Sequence, residues 1–199
     1  MPATIVRVPD AATASAKLRR QGRTVVTFVG FSGAGYEDRP AVDHAIENIL
    51  AALNPESVLV CAGATPEGIG TVYRIAKERK RPFETLGIVS SIAEKERSEF
   101  SRDVDAIYVI ADETWGGLDA DGHLSPTSAG MVGAANQIIS IGGGEIARDE
   151  ISAAIALGKP VTFVPADMNH SAALKKARDK NESVPNDFRG SVHILFEDK

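Results

Sequence analysis

Residues 137–150 (QIISIGGGEIARDE) join a short apolar run, three glycines and an amphipathic segment. Gly142, Gly143 and Gly144 leave only backbone at the end of the run. A helix beginning directly after them would point free N–H groups and the positive end of its dipole at the space in front. Phosphates and other anions bind at such helix starts. The stretch therefore predicts a site for a nucleotide-type ligand.

Two further loops carry glycines between an apolar run and a helical pattern, at residues 30–36 (GFSGAGY) and 63–71 (GATPEGIGT). Neither loop has the lysine of a P-loop or the spacing of the dinucleotide fingerprint. Backbone amides, hydroxyls and helix dipoles would therefore have to hold an anion. The residues of these two loops that we expect to bind the ligand are Gly30, Ser32, Gly33, Gly63, Thr65, Gly68 and Gly70.

Five side chains near these loops are candidates for chemistry or recognition. Glu150 is an acidic group of the same segment, and Glu145 could hydrogen-bond ribose hydroxyls, although both carboxylates also suit the first turns of a helix, where they stabilise its dipole. Arg148 could reach a phosphate, or lie on the surface. Asp112 ends a predicted strand and could recognise ribose or base, or close a turn. Trp115, the only tryptophan, could stack on a base, or belong to the core or an interface.

Composition narrows the class of protein. The chain has 199 residues, which suits a single domain covering residues 1–199, with residues 1–22 as an alternative N-terminal arm. A net charge of −5 argues against nucleic acid as a partner. The single Cys61 and the absence of a leader pattern or a long apolar run favour a cytoplasmic protein without a membrane partner. The four histidines show no metal-ligand spacing, so we expect no metal and no required cofactor.

Apolar runs alternate with helical patterns along the chain. The predicted strands are residues 24–30, 57–63, 84–90, 106–112, 137–142, 160–165 and, at an edge, 191–196. The predicted helices are residues 41–53, 68–79, 127–135, 146–157 and 171–180. Residues 3–9 form either an extra strand or an arm, and the long loop 113–126 is functional or mobile. Continuous apolar strands with crossover helices predict a Rossmann-like α/β fold, a three-layer sandwich with a mostly parallel central sheet. The glycine loops then share its carboxyl edge.

The order of these motifs resembles the SLOG superfamily of Rossmann-like proteins, which includes cytokinin-activating phosphoribohydrolases, molybdenum-cofactor carriers and nucleotide sensors. Residues 30–33 resemble its first glycine turn, and residues 63–70 resemble its second. Residues 142–150 (GGGEIARDE) resemble its P-G-G-x-G-T-x-x-E signature. The resemblance implies a nucleotide or phosphoribosyl ligand, with Gly142, Gly143 and Gly144 among its contacts, and a homodimer.

The signature is incomplete in this chain. Glu150 matches the catalytic glutamate, but Ile146 and Ala147 replace the Gly-Thr pair, and Thr127 stands in the place of the upstream arginine. We therefore expect a ligand sensor or carrier. The alternatives are a nucleoside-monophosphate phosphoribohydrolase that uses Glu150 to hydrolyse the N-glycosidic bond, a carrier of molybdopterin-type cofactors, and an assembly component with a decayed site.

Overall fold

Seven parallel strands form one sheet in the order β1-β5-β4-β3-β2-β6-β7. The computed structural model describes residues 3–19, 22–179 and 181–197. The strands are β1 (Thr4–Val8), β2 (Thr24–Gly30), β3 (Val58–Ala62), β4 (Glu84–Ser90), β5 (Ala106–Ile110), β6 (Gln137–Ile141) and β7 (Val161–Val164). The predicted parallel sheet is confirmed.

Helices cover both faces of this sheet and complete the expected three-layer sandwich. They are α1 (Ala11–Arg19), α2 (Arg39–Ala51), α3 (Thr71–Glu78), α4 (Ser91–Lys95), α5 (Pro126–Ala134), α6 (Glu145–Ala156) and α7 (His170–Asp179), with a 3-10 turn at Gly68–Gly70. The prediction for residue 180 lies outside the described residues. Within the described part of the chain, no helix is both long and apolar enough to cross a membrane.

The apolar strands are continuous because both of their faces are buried. In β2, Val26 and Phe28 pack with α2 and α3 on one face, whereas Val25 and Val29 pack with α1, α5 and α6 on the other. Side chains alternate along a strand, so burial on both faces requires apolar residues at consecutive positions.

The strand order reverses at β2, which pairs with β3 on one side and with β6 on the other. Ligands of open α/β sheets bind outside the carboxyl ends of the strands at such a switch point. The glycine loops follow β2, β3 and β6 and thus share this edge. Gly30 ends β2 where a side chain would collide with Tyr36, whose hydroxyl donates to the Ile141 carbonyl at 2.9 Å.

The two ends of the chain differ from the sequence-based expectations. Of the two alternatives for residues 3–9, the structure forms the edge strand β1, and residues 11–19 add α1. The predicted edge strand 191–196 is wrong, because His193–Phe196 forms a 3-10 turn. The amides of Ser191 and Val192 donate instead to the Gly143 carbonyl, and Phe196 stacks on Phe163 of β7.

Candidate functional site

A cavity of about 440 Å³ opens at the carboxyl edge of the sheet, between the ends of β2, β3 and β4 and helices α5 and α6. Most of its wall is apolar, as the side chains of Phe28, Ile88, Phe100 and Met131 illustrate. Seven of the candidate residues line it: Gly30, Ser32, Gly33, Gly63, Thr65, Trp115 and Glu150. A more open groove of about 630 Å³ lies between the C-terminal ends of α2 and α3, away from the glycine loops.

Gly68 and Gly70 hold the first two loops together. A Cβ at Gly68 would collide with the backbone carbonyl of Ser32, and one at Gly70 would collide with that of Thr65. Gly68 also has a φ of +59°, a conformation that favours glycine. Neither glycine lines the cavity, so the structure places both in loop packing.

The space beside Gly142 and Gly143 is filled by neighbouring side chains and backbone. A Cβ at Gly142 would lie 2.6 Å from the Phe31 ring, and one at Gly143 would lie 2.8 Å from the side chain of Val192. The amides of Ser191 and Val192 donate to the Gly143 carbonyl at 2.9 and 3.1 Å. Residues 188–196 therefore brace this loop from the side of β7.

Gly33, Gly63 and Gly144 have free space beside their backbone. A Cβ at any of the three would have no heavy atom within 4 Å, and none of them has a positive φ. Gly144, which does not itself line the cavity, is the N-cap of α6 and provides no side-chain cap. The first helical hydrogen bond runs from the Arg148 amide to the Gly144 carbonyl at 2.9 Å, so the amides before Arg148 have no partner within the helix. Ala147, in this first turn, lines the cavity.

Glu150 lies in the buried part of the cavity wall, with 5% of its surface exposed. Burial raises the pKa of its carboxyl to about 7, because the charged form loses hydration. The hydroxyl of Ser128 donates to Oε1 at 2.7 Å and offsets part of that rise, while the neighbouring Asp149 adds to it. A carboxyl of this kind can accept or release a proton near neutral pH.

Asp112 does not line the cavity and instead fixes the start of the long loop. Its Oδ1 accepts from the amide and the hydroxyl of Thr114, both at 2.8 Å, and its Oδ2 accepts from the Thr127 amide at 2.9 Å. Burial opposes the ionisation of Asp112, but these hydrogen bonds outweigh it and hold the pKa of the carboxyl below its usual value.

The remaining predicted residues lie at or beyond the rim. Glu145 is exposed, and Arg148 forms an ion pair with Asp149 at 2.8 Å; neither Glu145 nor Arg148 lines the cavity. Trp115 lines the mouth and has 52% of its surface exposed. Loop 113–125, which carries Trp115, thus adjoins the cavity.

Charge is unevenly distributed around the cavity. Among the described residues that line it, Glu99 and Glu150 carry carboxyl groups and none is a lysine, arginine or histidine. Within the same described ranges, no group of three or more His, Cys, Asp or Glu side chains is arranged to hold a metal ion. Attraction for an anion in this wall must therefore come from helix amides and hydroxyls.

Sequence reasoning missed Ser128. It lies within the apolar, small-residue helix α5 and belongs to no motif. Its neighbour Thr127, noted only as a replacement for an arginine, lines the cavity and has a buried hydroxyl without a hydrogen-bond partner among the described residues. Ser128 could have been found only from its position next to that replacement.

No protein-family model matches the chain, and no curated protein is detectably similar to it in sequence. Solved structures do resemble it. The structural genomics target TM1055 is 24% identical over 69% of this chain and 72% of its own, with a TM-score of 0.51. The molybdenum cofactor carrier protein MCP from Chlamydomonas reinhardtii is 17% identical over 87% of this chain and 96% of its own, with a TM-score of 0.50.

The chain shares the Rossmann-like α/β fold of these structures. The expectation drawn from the three glycine motifs is thereby confirmed for the architecture. The loop after β6, which resembles the superfamily signature, begins helix α6 at the cavity wall, and Ile146 and Ala147 stand where that signature has Gly-Thr. At a sequence identity this low, the similarity supports only a shared fold. The chemistry of the candidate site therefore follows from its own residues.

Proposed function

We propose that the protein binds a nucleotide or phosphoribosyl-type ligand in the cavity and acts as a sensor or carrier. One observation carries the proposal: Gly33, Gly63 and the uncapped Gly144 leave open backbone where three loops meet at the switch point of the sheet. Helix amides without a partner and unobstructed glycine backbone together suit a phosphate group.

The shape of the cavity supports a ligand with one ring system and one anionic group. Its volume of about 440 Å³ falls in the usual range for small-molecule sites. The apolar wall, with Phe28, Ile88 and Phe100, suits a heterocyclic ring, and the first turn of α6 suits the phosphate. The carboxyl groups of Glu99 and Glu150 disfavour additional negative charge.

A carrier or sensor role is supported by what faces Glu150. Thr127 provides only a hydroxyl, and no described residue of the cavity wall provides a cation for charge that develops during bond cleavage. Tight binding without rapid turnover follows most simply from such a wall. A homodimer in the cytoplasm remains our expectation, and light scattering at working concentration tests the dimer.

A phosphoribohydrolase is the second candidate, and the Glu150 carboxyl favours it. A buried carboxyl with a pKa near 7 inside a cavity is suited to general acid–base catalysis. Glu150 would take a proton from water as the water attacks C1′ of the sugar and the free base leaves. Incubation with nucleoside monophosphates tests this: release of free base that is lost in Glu150→Gln would establish the hydrolase.

A pterin-type ligand is the third candidate. The structural neighbour from Chlamydomonas reinhardtii is named a molybdenum cofactor carrier, which supports adding a pterin monophosphate to any binding screen. The apolar wall and the amide-rich helix start would suit that compound in the same way as a nucleotide.

Calorimetric titration with AMP, ADP-ribose and a pterin monophosphate tests the proposal. We expect saturable binding of at least one compound and at least tenfold weaker binding by Gly63→Asp, which adds a charge where space is free. Ser171→Asp adds the same charge near the exposed start of α7 and serves as the matched control. No binding of any compound, or equal binding by wild type and Gly63→Asp, would overturn the proposal.

A further inference from the structure

The loop that carries the only tryptophan is fixed on both sides of that residue, and between the two attachments the Gly116 amide donates to the Thr114 hydroxyl oxygen at 3.3 Å. At the first point, Asp112 accepts from the amide and hydroxyl of Thr114. At the second, the Gly117 amide donates to the hydroxyl oxygen of Ser128 at 2.8 Å. Trp115 lies between these points, at the mouth of the cavity. Its position therefore depends on both attachments.

The second attachment continues to the wall of the cavity. Ser128 is fully buried, accepts from the Gly117 amide and donates its hydroxyl proton to Glu150 Oε1 at 2.7 Å. A serine hydroxyl has one proton to donate. The loop, Ser128 and the Glu150 carboxyl thus form a single hydrogen-bond chain with a defined direction.

We propose that Ser128 couples the bonding of the Glu150 carboxyl to the docking of loop 113–125, so that a proton or a ligand at Glu150 changes the position of Trp115. The ligand half of this proposal rests on the proposed function, whereas the proton half needs no ligand. Ser128 is in this sense a positioning residue, which acts through Glu150 and the loop rather than by touching a ligand.

Charge provides the coupling. While Glu150 is ionised, the Ser128 hydroxyl donates to a charged acceptor, and such hydrogen bonds are stronger than neutral ones. Protonation makes the acceptor neutral and weakens the bond from Ser128. The Ser128 side chain can then rotate about χ1, which moves its oxygen away from the Gly117 amide. We therefore expect the loop to be docked more firmly at high pH than at low pH.

Charged and titratable groups from several elements surround the Glu150 carboxyl. The charged and titratable groups around it are Asp149 with its partner Arg148 on α6, Cys61 on β3, Asp112 after β5 and Glu99 at the rim. Burial raises the pKa of the Cys61 thiol to about 12, and hydrogen bonds hold the pKa of Asp112 below its usual value.

A ligand would act on the same hydrogen-bond chain from the loop through Ser128 to Glu150. A donor group on the ligand that bonds Glu150 competes with the Ser128 hydroxyl for the carboxyl oxygens. The competition changes how firmly Gly117 is held, and Trp115 responds at the opening through which the ligand entered. Occupancy of the cavity would in this way become visible on the protein surface.

Tryptophan fluorescence of the full chain tests the proton half, because Trp115 is the only tryptophan. All samples carry His123→Gln, so that loop 113–125 contains no histidine. We expect a shift in emission between pH 5 and pH 9 with a midpoint near the Glu150 pKa of about 7. Glu150→Gln should abolish the shift, and Ser128→Ala should reduce it at least fivefold. The control Ser171→Ala, which removes an exposed hydroxyl at the start of α7, should leave the shift unchanged.

Carbon NMR of labelled glutamate side chains, recorded on the same proteins, follows the Glu150 carboxyl directly. Loss of the emission shift in Ser128→Ala while Glu150 still titrates would establish the coupling, and circular dichroism would show that the variant is folded. An unchanged shift in Ser128→Ala, or a flat emission curve in the wild type while Glu150 titrates, would overturn it. Titration with AMP forms a separate arm: if nothing binds, the proposed function fails and the pH result still decides the role of Ser128.

Discussion

Gly144→Asp separates ligand binding from folding more sharply than any other substitution at the site. Gly144 has φ −87° and ψ −160°, an extended N-cap geometry that any residue can adopt, and a Cβ there would meet no heavy atom within 4 Å. Aspartate is a better N-cap than glycine by a few tenths of a kcal/mol and gains roughly 0.3–1 kcal/mol from the helix dipole. We expect the variant to be about 0.5–1 kcal/mol more stable, which raises Tm by roughly 1–4 °C for a domain of this size.

The same substitution should remove binding of a phosphate. The new carboxylate accepts from the amides that the phosphate would use, and it brings a negative charge to within about 5 Å of the ligand. At an effective dielectric constant of about 20, that repulsion is about 3 kcal/mol. A loss of about 3 kcal/mol corresponds to a Kd more than about 100-fold weaker.

Two measurements on one protein preparation check this reasoning. Thermal unfolding without ligand should show the increase in Tm, and calorimetry with AMP or another compound that binds the wild type should show the loss of affinity. Ser171→Asp has the same net charge and should keep the wild-type affinity. If Gly144→Asp were more stable and still bound the phosphate compound with wild-type affinity, the start of α6 would not be the anion site.

Three further predictions concern the framework of the site. Gly143→Ala should lower the free energy of unfolding by roughly 1–3 kcal/mol in urea, because its Cβ would lie 2.8 Å from that of Ala147 at a φ of +130°; an unchanged urea midpoint would contradict this packing. Tyr36→Phe should cost about 1–3 kcal/mol, since the buried Ile141 carbonyl loses its donor, and equal stability of the two proteins would show that the bond contributes nothing. Because burial raises the folded-state pKa of Glu150 from 4.5 to about 7, the protein binds more protons than its unfolded chain in that window, and its stability should fall as pH rises through it. Glu150→Gln should remove that slope, worth roughly 3 kcal/mol, in urea unfolding between pH 5 and pH 8, and a wild-type slope in the variant would refute the assignment.

The central strands could be predicted from the sequence because burial on both faces requires consecutive apolar residues. β2 and β4 were expected at residues 24–30 and 84–90, where the structure has them. Helix α1 was missed for the opposite reason. Its buried residues include Ala14 and Ser15, which pack against α5, where a Cβ at Gly133 would lie 2.7 Å from the Ser15 hydroxyl. Helices that approach through small residues have no apolar stripe to detect.

The position of the cavity was more predictable than the contacts of each candidate residue. Strand order places all glycine loops at one edge, and the sequence indicated that edge. Which glycines are open depends on distant parts of the chain: Gly143 is covered by Val192, whereas Gly144, the next residue, is not. The chain Gly117–Ser128–Glu150 likewise joins three segments that no local pattern connects.

The brace on the Gly143 carbonyl also bears on the order in which the molecule is made. Residues 188–196 follow all seven strands in the chain, yet they hold the loop from which α6 starts. The amides of Ser191 and Val192 are therefore synthesised after every strand of the sheet. Until then the loop lacks its anchor, so the nascent protein has all of its strands before it has a finished binding site.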